Sequence, residues 1–174
     1  MDAMVNKWLV IFAVPMLLFA QRNYPVPQPS EPRPQTSPDQ ERPLAAEVRA
    51  QLEQGIKHVL VSQVEAWNHH NLENYMAGYW RSPDLTFFSG GTVTKGWEPT
   101  LERYRQRYQG AGKEMGHLDF QDLDIDLLSR RSAVVTGKWQ LTMSDGKTPH
   151  GLFTLIFKRF PEGWRIVHDH TSAE

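Results

Sequence analysis

Between residues 44 and 67, apolar side chains recur at intervals of three and four: Leu44, Val48, Leu52, Ile56, Val59, Leu60, Val64 and Trp67. That spacing puts them on one stripe of an α-helix. Pro43 fits a first helical position, where no N–H is needed, and Gly55 weakens the helix without ending it. The polar run Asn68-His69-His70-Asn71 closes the stripe. Asn71 is placed to cap a short second helix carrying Leu72, Tyr75, Met76 and Tyr79. Ser82-Pro83 then breaks the chain, because the residue before a proline is pushed out of the helical region.

Downstream the period changes. Residues 85–96 read as two short strands around Gly90-Gly91. Trp97, Leu101, Tyr104 and Tyr108 mark a third helix. Four strand-like segments follow, at 117–128, 132–143, 150–160 and 163–171. Their separators are too short for crossovers, so these strands are antiparallel neighbours. The class is α+β, with helices first and a mainly antiparallel sheet after them.

The strand patterns say what the sheet must cover. Segment 132–143 sets Ala133, Val135, Gly137, Trp139 and Leu141 against a more polar opposite face. Segment 150–160 is apolar on both faces, with Phe153, Leu155 and Phe157 on one and Leu152 and Ile156 on the other. Helices cover one face. A second subunit would cover the other, so a homodimer through the sheet is expected.

The N-terminal part has a different character. Residues 1–20 include an unbroken apolar run at 8–20. At about 20 residues for a bilayer-spanning helix, this run is too short for a stable transmembrane span and fits the apolar region of a signal peptide. Export, periplasmic or secreted, is the expectation, with an uncleaved N-terminal anchor as the alternative. Residues 21–43 hold seven of the 12 prolines and read as an extended linker. The globular unit is 44–174. With 19 basic and 20 acidic residues, the chain offers no basic face for nucleic acid. It has no cysteine, which removes disulfides, thiol nucleophiles and thiolate metal sites.

The order of elements resembles the nuclear-transport-factor-2-like, or SnoaL-like, superfamily. Three stretches carry the likeness: EAWNHHNLENYMAGYW at the helix junction, SGGTVTKGWEPTLERYRQRY into the third helix, and the closing GWRIVHDHTS. They are most similar to the branch of small domains of unknown function. The closing stretch also looks like the last strand of the calcium/calmodulin-dependent kinase association domain. The resemblance implies a cone-shaped fold in which helices and a curved sheet enclose a pocket for a small, largely apolar ligand. Its superfamily hosts isomerases, dehydratases and pure binding modules, so the fold leaves activity open. Asn71 stands where the family usually carries an aspartate. The tyrosine and carboxylic-acid set of the ketosteroid isomerases does not map onto this sequence, and that mechanism is not carried over.

Trp67, Tyr75, Tyr79, Trp97, Tyr104 and Trp139 are the candidate pocket wall. The candidate chemistry lies in the last strand. Strict alternation puts Trp164, Ile166, His168 and His170 on one face, taken as the inner one, and Arg165, Val167 and Asp169 on the other. His168 and His170 are therefore the candidate acid–base pair. Structural hydrogen bonding is the competing role. A His-x-His pair also supplies two metal ligands, but no spacing supplies a third, and neither metal nor cofactor is expected. The functional reading is ligand binding in the cone, with proton-transfer or hydrolytic activity open; the alternative is a non-catalytic dimeric binding or assembly module.

Overall fold

The computed structural model describes residues 44–173. The signal-like segment, the proline-rich linker and Pro43 lie outside the described residues. Helix α1 spans Ala46–Asn68, α2 Leu72–Met76 and α3 Trp97–Tyr108. The strands are β1 Thr86–Ser89, β2 Thr92–Lys95, β3 His117–Leu127, β4 Ser132–Thr142, β5 His150–Phe160 and β6 Gly163–Thr171. Two helices precede the first hairpin and the third follows it. Among the described residues, no helix is long and apolar enough to cross a membrane.

The six strands form one curved mixed sheet in the order β2-β1-β6-β5-β4-β3. All neighbours are antiparallel except β1 and β6, which run parallel. Gly90 and Gly91, at φ 57° and 73°, make the two-residue turn between β1 and β2. Positive φ at both central positions matches the right-handed twist of a tight hairpin. As expected for α2, the Asn71 side chain accepts from the Asn74 N–H at 2.9 Å.

Helix α1 lies across the sheet, burying Leu52, Ile56, Leu60 and Trp67. Its end is fixed by polar contacts as well as by packing. The Asn68 amide donates to the Leu118 carbonyl at 3.1 Å and accepts from the Leu118 N–H at 2.7 Å. The Trp67 indole N–H is shared by the carbonyls of Met115 and Gly116, each at 3.2 Å. These bonds seat the helix on the start of β3. From the other side, Phe153, Leu155 and Phe157 of β5 meet the helices, while Leu152 points outward and is 53% exposed.

Two bulges bend the sheet. In β3 the register with β4 shifts between Gln121 and Asp124, where Asp122 takes φ 52°. In β6 the register with β5 shifts so that Ile166 faces Phe157 and His168 faces Ile156, leaving Val167 without a partner. The chain after α2 clamps β6 just before this point. The Trp80 N–H donates to the Ile166 carbonyl at 2.8 Å, and the Ile166 N–H donates to the Gly78 carbonyl at 3.0 Å.

Candidate functional site

The β6 bulge decides which side chains face the interior. One extra residue shifts a strand's period-two alternation by one, so every later side chain changes face. Trp164 and Ile166 point inward, and after Val167 it is Asp169 and Thr171 that do so. His168 and His170 turn to the outer face of the sheet. This corrects the face assignment made from strict alternation, and with it the expectation that the two imidazoles project into the cone. The doublet Ile166-Val167, two apolar neighbours where one was due, is the trace of the phase change in the sequence.

Between helices and sheet lies a cavity of about 360 Å³, within the usual range for small-molecule sites, about 300–1,000 Å³. Trp67, Tyr75, Tyr79, Tyr104 and Trp139 line it, together with Phe87, Phe120 and Phe153. Trp97 does not. Its indole N–H donates to the Met76 carbonyl at 2.8 Å, and the Arg81 guanidinium sits 4.7 Å over its ring. It locks α3 onto α2 instead. The lining aromatics brace one another, with ring centroids 5.1 Å apart for Trp67 and Tyr75, 5.3 Å for Tyr75 and Tyr104, and 5.4 Å for Phe87 and Tyr104.

Among the described residues, Asp169 is the carboxyl group that lines this cavity, and it is only 3% exposed. The Tyr79 hydroxyl donates to Oδ2 at 2.7 Å, and the Thr171 hydroxyl donates to Oδ1 at 2.6 Å. Burial pushes its pKa up to about 6; the bonds from Thr171 and Tyr79, then the charge of His170, oppose that rise without cancelling it. Burial likewise raises Tyr79 and Tyr104 well above the usual phenol range, with Asp169 and neighbouring tyrosines adding to it. The phenols therefore stay protonated and serve as donors. A carboxyl that changes charge near neutrality, beside fixed hydroxyl donors in a cavity walled by aromatic rings, has the properties of a general acid or base.

On the outer face, His168 Nδ1 shares a hydrogen bond with the Thr86 hydroxyl at 2.6 Å. The Phe88 ring lies 4.9 Å from His168 and 6.0 Å from His170. Burial first, and the His170 charge second, lower the His168 pKa. These contacts tie β1 to β6. Among the described residues, no group of three or more His, Asp or Glu side chains is arranged to hold a metal.

Sequence reasoning missed Asp169 as an inward group, and it missed Gln63, Arg103 and Arg107 as lining residues. Gln63 is buried, with its amide donating to the Tyr75 carbonyl at 3.1 Å. Its sign in the sequence is a polar residue amid a helical stripe of apolar ones.

The fold, helices packed on a bent sheet, is shared with known proteins. The profile of the SnoaL-like domain matches residues 56–174, and the chain belongs to that family. The chain is similar in structure to an NTF-2 like protein of unknown function from Shewanella oneidensis, with 36% identity over 69% of this chain and 98% of that one, at a TM-score of 0.64. A nuclear transport factor 2-like superfamily protein from Salmonella enterica shares the fold at 20% identity over 71% and 92% of the two chains, TM-score 0.58. So does a protein from Catenulispora acidiphila in complex with S-DNPA, at 17% identity over 71% and 94%, TM-score 0.59. No curated protein matches the chain.

Proposed function

We propose that the domain binds a small, largely apolar ligand in the cone and that Asp169 exchanges a proton with it, as an isomerisation or dehydration requires. One observation carries this reading: a carboxyl group only 3% exposed stands at the cavity wall with both oxygens held by hydroxyl donors. A purely structural carboxyl would gain little from a site that raises its pKa to about 6. Placing a proton within reach of a bound molecule gives that cost a use. The Catenulispora protein, in complex with S-DNPA, supports ligand binding at the level of the fold. An apolar ligand that covers Asp169 excludes water further and raises its pKa again, so binding near pH 6 draws a proton from solution.

The test is calorimetric titration with the neutral dye N-phenyl-1-naphthylamine at pH 6, in two buffers of different ionisation heat. One dye per chain with proton uptake in the wild type, and uptake lost in Asp169→Asn, is the expected result. Absence of binding, or equal uptake in the variant, overturns the proposal.

A dimeric module is the second reading. Leu152, 53% exposed on the outer face of a central strand, favours it. Sedimentation of the wild type against Leu152→Lys tests it, with a dimer lost in the variant as the supporting result.

A further inference from the structure

We infer that the ligand of this cavity is an amphipathic anion, its apolar body inside the cone and its carboxylate, sulfonate or phosphate at the rim, held by Arg103 and Arg107. The inference rests on the cavity reading above and names the ligand class.

Both arginines come from one face of α3, a turn apart, and both line the cavity. Arg103 is half-buried and rigid. One terminal nitrogen donates to the Thr94 hydroxyl at 2.9 Å and the other to the Ser89 carbonyl at 2.8 Å, and the guanidinium lies 5.0 Å over the Phe87 ring. Every one of those partners is neutral. The charge is positioned and, among the described residues, left uncompensated, with N–H groups to spare, since a guanidinium has five. Arg107 is exposed, 5.9 Å from the Tyr108 ring centroid. Neither arginine pairs with a carboxylate among the described residues, whereas Arg105, between them on the same helix, bridges to Glu73 and Glu102. Charge compensation on α3 thus stops at the two positions that face the cavity.

Burial fixes the orientation: Asp169 is only 3% exposed, whereas Arg107 is exposed. An anion placed beside Asp169 would face a carboxyl in a buried, apolar setting, which disfavours two like charges. At the rim the same anion meets two guanidinium groups, at least one of them preorganised, and the ordering cost of binding is correspondingly small. The interior then takes rings or alkyl chain, and the far end presents a hydrogen-bonding or proton-exchanging group to Asp169 and Tyr79.

The test uses two dyes that differ by one charged group: 1-anilinonaphthalene-8-sulfonate, and N-phenyl-1-naphthylamine, which lacks the sulfonate. Both are titrated against the folded full chain and against Arg107→Gln, with Arg103→Lys as a second variant that keeps the charge but loses the fork of hydrogen bonds. The expected result is that Arg107→Gln raises the dissociation constant of the sulfonate dye about fivefold or more, and leaves the neutral dye within about twofold. The sulfonate dye's affinity should fall with added salt and the neutral dye's should not. Equal shifts for the two dyes, or none for the sulfonate, overturn the anion assignment while leaving the cavity reading intact. Failure of both dyes to bind the wild type overturns both.

Discussion

The hydroxyl of Tyr79 donates to Oδ2 of Asp169 across 2.7 Å, although the residues stand 90 positions apart in the chain. The contact exists because the segment after α2 pairs with β6 through Gly78, Trp80 and Ile166 just before the bulge. This bond favours the ionised carboxyl and is one of the influences that limit the rise in its pKa. Tyr79→Phe removes the donor and keeps the ring. The Asp169 midpoint should then move above about 6, read from the carboxyl carbon by NMR titration, and the fold should lose about 1 kcal/mol. A midpoint that stays or falls would contradict the bond's assigned role.

Asp169 makes stability depend on pH in a direction unusual for an aspartate. Its pKa is about 6 in the folded chain, against about 3.9 in an unfolded one. Between these values the folded state holds more proton than the unfolded state, so stability falls as pH rises through that window. The contribution is most favourable below about pH 4, and the penalty is fully present above pH 6. A shift of this size corresponds to about 3 kcal/mol as an order of magnitude. Asp169→Asn has no such titration. Its stability relative to wild type, measured by urea unfolding, should increase from pH 4 to pH 7.5. A flat difference would mean that burial does not raise the pKa.

His168 and His170 face away from the cavity, so replacing both with glutamine should leave dye binding unchanged within about twofold. Loss of the bond between His168 and Thr86 should cost about 1 kcal/mol, and the exposed His170 contributes within about 0.5 kcal/mol. Thermal unfolding together with dye titration separates the two effects. A variant that folds normally and no longer binds dye would restore the histidines to the site.

The fold was legible because its signals are periodic and numerous. The α1 stripe from Leu52 to Trp67, the capping Asn71, Gly90-Gly91 and the alternation of Ala133, Val135 and Leu141 each mark one element, and all agree on one architecture. The cavity wall was legible in part, since Trp67, Tyr75 and Tyr104 are aromatic whichever way the sheet bends. The polar point of the cavity was not, because it depends on one unpaired residue. Val167 carries no glycine or proline to announce a bulge, and period-two counting from Trp164 then assigns every later side chain to the wrong face. Arg103 and Arg107 escaped for a different reason. A helix rich in arginine looks like a solvated surface until one knows which of its charges lack a carboxylate neighbour among the described residues.

The rim of the cavity offers a last test. Ala173 lines the cavity, and Ser172 before it is bound to both β4 and β5. The Trp139 indole N–H donates to the Ser172 carbonyl at 2.9 Å, the Ser172 N–H donates to the Leu152 carbonyl at 2.9 Å, and the Leu152 N–H donates to the Ser172 hydroxyl at 3.1 Å. Gly151 makes this close approach practicable, since a methyl group there would collide with the Ser172 carbonyl and lie 2.9 Å from the Trp139 indole nitrogen. The obstacle is backbone, which cannot swing aside as a side chain does. Gly151→Ala should cost about 1–3 kcal/mol and weaken dye binding, as the tail is pushed off the rim. Trp139→Phe removes one donor and keeps an aromatic wall, so it should cost about 1 kcal/mol and disturb binding less. Urea unfolding of both variants beside dye titration checks the order. If Gly151→Ala proves as stable as wild type, the tail does not sit against β5 as described, and Ala173 is no part of the cavity.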